Sequence, residues 1–261
     1  MAGRIVLREH GFVREIGLDR PAAANAISTG MARELAEVCA QVAEDRSCRA
    51  VVLSATGKRA FCVGADLKER AGFSDDDLRR QRPIIQAAYG GVLQLPQPAI
   101  AAVFGYALGG GCELALACDL IVADETAVFG LPEVSVGLVP GGGGTQLAPR
   151  RLGAAAAADL IFTARRVEID EAQRLGLVDR RVPAGQARDE ALRLAERIAG
   201  NSPVGLRSAK RALRIGWGLD LTVGLAVEDD AWRATAFSAD RREGIAAFNE
   251  KRPAVWPGDD G

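Results

Sequence analysis

The 261-residue chain is 48% hydrophobic and 26% charged, the ordinary range for a globular protein long enough to bury a large core without disulfides or metals. Its formal net charge of −1 offers no electrostatic footprint for nucleic acid or a membrane surface. No apolar run reaches the length of a membrane span, and the first residues, Met1 to His10, lack the apolar stretch of a leader, so a cytoplasmic protein is expected.

Chain order begins with two short strands, Ile5 to Arg8 and Phe12 to Leu18, joined at His10-Gly11. His10 is the sole histidine, and its polar turn setting reads as surface. That removes histidine-based triads and histidine-rich zinc sites from consideration. Ser28 or Thr29 caps a helix through Glu44 with Met31, Leu35, Val38 and Val42 on one face. Ala50 to Ser54 is a strand, and Phe61 to Asp66 runs from strand into turn. Ser74 opens a helical stretch from about Asp77 to Leu95, stopped by Pro96 and Pro98.

The pattern then repeats. Ala99 to Val103 is a buried strand, Gly109 to Gly111 a turn, Cys112 to Ala117 a helix and Asp119 to Ala123 a strand. Val128 to Gly130 is extended and leads to Pro132-Glu133. A helix is predicted over Leu152 to Ile161 and a last strand over Leu177 to Val182. Beyond Pro183 only helices are predicted: Ala187 to Ala199, Pro203 to Ile215, Leu219 to Ala236 and Arg241 to Glu250. Strand–helix alternation followed by helices alone implies an α/β core over residues 1–200 and a helical region over 201–261. The latter is too thin to bury its own apolar residues and is expected to pack on the core or on a second copy.

Two glutamates stand out because each sits beside a glycine-rich turn. Glu113 ends Gly109-Gly110-Gly111-Cys112-Glu113, and Glu133 follows Gly130-Leu131-Pro132. Glycines admit a ligand close to the backbone and leave N–H groups to face it. If the turns at Ala65 and Gly110 converge, their N–H groups form an oxyanion hole. The plain alternative is that these glycines only make tight connections. Glu113 lies in an apolar stretch, so burial should raise its pKa unless it is ion-paired. Glu133 reads either as a solvated loop acid or as the partner of Glu113 across one water. The glycine runs match neither the P-loop nor the dinucleotide fingerprint. Lysines occur only at 58, 68, 210 and 251, and Lys68 and Lys251 are candidate phosphate partners, though either suits a plain surface. The five cysteines, Cys39, Cys48, Cys62, Cys112 and Cys118, contain no Cys-x-x-Cys pair and read as small core residues.

Phe61 to Glu69, Ala102 to Ala115 and Gly130 to Gln146 together resemble the motifs of the crotonase (enoyl-CoA hydratase/isomerase) superfamily, as do Arg20-Pro21, Asn25-Ala26 and Arg241 to Arg252. The resemblance covers nearly the whole chain, and is strongest toward enoyl-CoA hydratases, including those of the methylglutaconyl-CoA type. It implies a core of repeated ββα turns with a C-terminal helical region, assembled as trimers or dimers of trimers. It implies a thioester whose carbonyl oxygen is held by the N–H groups of Ala65 and Gly110. Glu113 and Glu133 match the two catalytic acids, Glu133 being assigned to proton delivery at Cα. Ala65, Asp66, Leu67, Lys68 and Gly110 match substrate-binding positions. Phe248 and Lys251 match tail positions that reach coenzyme A, including that of a neighbouring subunit. No metal or redox cofactor is implied, because coenzyme A arrives as part of the substrate.

Retention of both acids points to hydration over Δ3,Δ2-isomerisation, branched-chain dehydration or a non-catalytic RNA-binding scaffold. Leu131 replaces a glutamine common in short-chain hydratases. The segment Gly72 to Gly90, which shapes the acyl pocket in this family, carries three aspartates and Arg79-Arg80. The helix from Met31 to Glu44 holds Glu34, Glu37 and Glu44 against Arg33, so no RNA binding is expected.

Overall fold

The computed structural model describes residues 3–258. The first hairpin is β1 (Arg4–His10) and β2 (Val13–Asp19), the second buried along nearly its whole length, paired antiparallel from Arg4↔Asp19 to His10↔Val13. α1 (Thr29–Glu44) follows, with the Ser28 hydroxyl accepting from the Met31 N–H, and it buries Met31, Ala32, Leu35, Cys39 and Val42. One unit then repeats three times: a strand in a large sheet, a short strand in a second sheet, and a helix. The first unit is β3 (Ala50–Ala55), β4 (Ala60–Cys62), α2 (Leu67–Arg70) and α3 (Asp75–Leu93). The second is β5 (Ala99–Val103), β6 (Tyr106–Leu108) and α4 (Gly110–Ala117). The third is β7 (Leu120–Asp124), β8 (Val128–Gly130), a tight helical turn at Pro132–Val136, α5 (Gly144–Leu152) and α6 (Ala154–Phe162). The chain closes with β9 (Arg166–Glu168), α7 (Ile169–Arg174), β10 (Arg180–Val182), α8 (Ala187–Ala199), α9 (Pro203–Gly216), α10 (Leu221–Ala236) and α11 (Ala239–Glu250).

The large sheet has the order β1-β2-β3-β5-β7-β10, parallel after the first pair; the small sheet has the order β4-β6-β8-β9. Parallel strands need cover on both faces, and here both are covered. One face meets α1, α3, α4 and the small sheet in the main core. The other presents Val13, Ala50, Val52, Ile100, Ala102 and Val122 to Ala191, Leu194, Ala195 and Ala199 of α8. α9 is tied to the core by ion pairs from Lys210 and Arg214 to Asp119, and α10 packs on α9.

Several elements depart from expectation. The helix predicted over Leu152 to Ile161 is α6, which starts at Ala154, and α5 ahead of it was not expected; Gly153 at φ 82° separates the two. β9 and α7 carry no signal in the sequence, being only 3 and 6 residues long. The last strand is confined to Arg180–Val182, and α3 begins at Asp75, where Ser74 and Asp77 form a reciprocal cap. α4 starts at Gly110, ahead of the expected Cys112.

Candidate active site

β4, β6 and β8 run parallel, so their C-terminal ends share one edge of the small sheet. β4 delivers the turn Gly64-Ala65-Asp66, β6 delivers Gly109-Gly110, and β8 delivers Leu131-Pro132-Glu133. The first two turns touch. Gly64 holds φ 86°, and a Cβ there would lie 2.8 Å from the Gly110 nitrogen. The Ala65 turn is clamped from both sides: the Ile27 N–H donates to the Gly64 carbonyl (2.8 Å) and the Asp66 N–H to the Ile27 carbonyl (3.0 Å). Asp66 caps α2, accepting from the Lys68 and Glu69 N–H groups, and pairs with Arg20 at 2.6 Å. Its carboxylate is thereby committed to holding the turn. The N–H groups of Ala65 and of Gly110, first residue of α4, donate to no protein acceptor among the described residues. Two free donors beside the positive end of a helix are what an oxyanion requires.

The two carboxyl groups flank this pair of turns. Glu113 is buried on α4, and its Oε1 accepts from the Gly142 N–H (2.7 Å) and the Gly144 N–H (2.8 Å). Burial pushes its carboxyl upward; those two bonds and the charge of Arg82 pull it back. Glu133 lies against the Gly109 turn, whose would-be Cβ falls 3.1 Å from Glu133 Oε1. Its Oε2 is buried with no hydrogen-bond partner among the described residues. Burial lifts the Glu133 carboxyl to about 7; its own backbone N–H opposes the lift and the Glu113 charge adds to it. Glu113 is thus neither a buried ion pair nor Glu133 a solvated surface acid.

Tyr89, which sequence reasoning missed, belongs to the same site. A Cβ on Gly110 would fall 2.1 Å from its hydroxyl oxygen, and one on Gly142 would fall 2.4 Å from its ring. Burial, then the neighbouring Cys62 and Glu113, push its phenol well above the ordinary value, so the hydroxyl keeps its proton. On the sequence Tyr89 is one more apolar-face residue of α3, and nothing marks it as facing a turn. Leu131 is fully buried and packs beside Gly144.

Leu67 and Lys68 are exposed on α2, directly after the Ala65 turn. Phe248 and Lys251 sit at the end of α11, which packs on α9 and α10, and Phe248 is 83% exposed. Within one chain they stand on the C-terminal helices and not in the turns. All five cysteines are free and buried, and burial pushes four of the thiols to about 12 and Cys48 to about 11, as befits core residues. His10 shares a hydrogen bond of 2.9 Å with Glu15, away from the turns.

Residues 8–259 match the family model described as enoyl-CoA hydratase/isomerase. YngF of Bacillus subtilis, whose name places it among the enoyl-CoA hydratase/isomerases, is 46% identical over 93% of this chain and 94% of its own. Human methylglutaconyl-CoA hydratase is 39% identical over 94% of this chain and 73% of its own. The crystal structure of an enoyl-CoA hydratase from Bacillus anthracis superposes with a TM-score of 0.95 at 42% identity, covering 98% of this chain and 99% of that one. The paired turns, the two glutamates and these likenesses agree: the chain belongs to the enoyl-CoA hydratase/isomerase family, the crotonase superfamily, and is an enzyme of that kind.

Proposed function

We propose that the protein adds water, reversibly and with syn geometry, across the double bond of a trans-2-enoyl-CoA thioester. The observation that carries this reading is the contrast between its two carboxyls: buried Glu113 held by two N–H donors, and partly buried Glu133 lifted to about 7 with an unpartnered oxygen. Donors favour the anion, so Glu113 serves as the base; Glu133, whose Oε2 has no partner among the described residues and whose carboxyl burial lifts to about 7, favours its proton and serves as the acid.

The thioester oxygen accepts from the N–H groups of Ala65 and Gly110, which stabilises the enolate formed when a nucleophile reaches Cβ. A donor of this type contributes about 3 kcal/mol to lowering such a barrier. Glu113 takes one proton from water as the water oxygen bonds Cβ. Glu133 gives its proton to Cα. The carboxyl pair carries one proton before and after, and no electron changes hands. Coenzyme A enters with the substrate, and in this reading Lys68, exposed on α2 after the Ala65 turn, meets its phosphate end. The reading includes assembly as a trimer or a pair of trimers, in which Phe248 and Lys251 meet coenzyme A bound to a neighbouring copy.

The test follows the conjugated enoyl-thioester absorbance of crotonyl-CoA with wild type, Glu113→Gln and Glu133→Gln. Rapid loss in wild type and a fall of about 10²-fold or more in each variant is expected. Unchanged turnover in both variants removes the pair from the mechanism. Product analysis with a 3-enoyl thioester separates hydration from isomerisation, and methylglutaconyl-CoA belongs in the panel because a relative bears that name.

A further inference from the structure

Arg82 lies on an exposed position of α3, outside the carboxyl pair. Its Nη1 donates to the Gly141 carbonyl at 2.8 Å. That carbonyl and the Gly142 N–H belong to the same peptide unit, and the Gly142 N–H donates to Glu113 Oε1 at 2.7 Å. One peptide therefore receives a charged donor on its oxygen and presents its N–H to a buried carboxylate. Such bonds polarise one another, and a cation at one end strengthens the donor at the other. The two flanking glycines fit this arrangement. A Cβ on Gly141 would fall 3.0 Å from Arg82 Nη1, and one on Gly142 would fall 2.7 Å from Glu113 Oε2. The guanidinium and the carboxylate occupy the space where side chains would begin.

We propose that Arg82 is a positioning residue for the reaction, acting through the Gly141–Gly142 peptide to hold the Glu113 carboxylate in the orientation that activates water. This rests on the hydratase reading of the site. The groups facing Glu113 are Arg82 and Tyr89 from α3, Glu133 from the Pro132–Val136 turn and Cys112 on its own helix; Arg70 and Arg151 act one step further out, on Tyr89 and Cys112. Burial keeps Tyr89 and Cys112 neutral, and Glu133 opposes a second negative charge, so Arg82 is the cation that offsets the cost of ionising Glu113. Removing it raises the proton affinity of Glu113, and the acid limb of the pH–rate profile moves to higher pH.

The experiment compares wild type with Arg82→Gln, Arg82→Lys and, as a charge control on the same helix, Arg79→Gln, whose arginine pairs with Asp76. Two readouts are taken: kcat and KM for crotonyl-CoA across pH, and the titration of the Glu113 carboxyl by carbon-13 NMR, assigned through its loss in Glu113→Gln. In Arg82→Gln, kcat should fall about tenfold, which is about 1.4 kcal/mol of barrier, while KM stays within about twofold. The Glu113 titration and the acid limb should both move to higher pH. Arg82→Lys should restore most of the rate, and Arg79→Gln should match wild type. An Arg82→Gln enzyme with unchanged kcat and an unmoved Glu113 titration overturns the proposal, as does an equal shift in Arg79→Gln. If wild type hydrates no enoyl-CoA of the panel, the hydratase reading fails, and the carboxyl titration still decides whether Arg82 governs Glu113.

Discussion

Glu133 is a carboxyl group whose function and stability effects point in opposite directions. The proposed reaction needs the carboxyl pair to hold one proton, so the rate should fall as pH rises through about 7, where Glu133 loses it. This limb should appear in both hydration and dehydration, because both use the singly protonated pair. The folded-state value is raised from the ordinary 4.5, so the native state binds the proton more tightly than the unfolded chain. The stability this contributes is complete below about pH 4.5 and is lost as pH rises through about 7. Glu133→Gln removes that dependence. At pH 8 the variant should be the more stable protein by about 2 kcal/mol, after discounting for solvent screening of a partly exposed group, and the gap should close near pH 5. Urea unfolding at the two pH values measures this; a gap of equal size at both would mean that Glu133 is not held in its protonated form. Gly110 supplies a second residue-scale expectation. A Cβ there would meet the Tyr89 hydroxyl at 2.1 Å and the Gly64 Cα at 3.2 Å. Gly110→Ala should destabilise by about 1–3 kcal/mol, and Tyr89→Ala in the same chain should recover part of that loss. Both glutamates and both donor turns were legible in the sequence, because glycine beside an acid in an apolar stretch is an unusual pattern. Tyr89 and Arg82 were not. One looks like core and the other like a solvated face, and only the fold brings them to Gly110 and Gly141.

At the scale of elements, the join between the core and the C-terminal helices runs through Asp119, at the start of β7. It accepts from Lys210 Nζ at 2.7 Å and from Arg214 at 2.7 Å, and Lys210 also donates to the Gln97 carbonyl at 2.8 Å. Lys210 is 8% exposed, and burial lowers its proton affinity against the opposing pull of Asp119. Asp119→Ala strands a buried cation and should cost about 3–5 kcal/mol. Lys210→Met, which removes the buried charge and leaves Asp119 its Arg214 partner, should cost clearly less. Equal losses would show that the ion pair is not what ties α9 to β7. The sequence announced the strands of the large sheet, because their apolar runs reflect burial on both faces. It did not announce the small sheet as a sheet. β4 and β8 were read as extended pieces at Phe61 and Val128, but β6 and β9, three residues each, carry too little periodicity to be read. The alanines announced α6, but α5 ahead of it went unread, because its glycine start and Pro149 read as loop, and Gly153 at φ 82° parts the two helices.

At the scale of the molecule, the C-terminal helices are under-covered. Leu213 (72%), Trp217 (61%), Leu221 (75%) and Trp232 (61%) are exposed on or between α9 and α10. A groove of about 1120 Å³ lies between α9 and the ends of α3, α4 and α5, lined by Leu93, Pro96, Leu147, Leu213 and Trp217, and none of the site glutamates borders it. An exposed apolar surface on this scale in a chain of otherwise ordinary composition is a surface for association. The crotonase resemblance implies that three or six chains meet over such a surface, and that is the state we propose in solution. Trp217→Glu combined with Leu221→Glu should shift the mass toward a single chain, since each glutamate would have to be buried unpaired in the contact. Sedimentation at micromolar concentration reads this directly. The same variant separates two jobs of the assembly. Ala65, Gly110, Glu113 and Glu133 all come from one chain, so the chemical step has its groups without a neighbour. Phe248 and Lys251 stand away from those turns within the chain, so the coenzyme A contact proposed for them depends on assembly. Dissociation should then raise KM for the thioester more than it lowers kcat. A dissociated variant with KM unchanged would mean that the tail residues do not touch substrate. A wild-type enzyme that sediments as one chain would remove assembly from the account and leave the apolar face of α9 and α10 to another purpose.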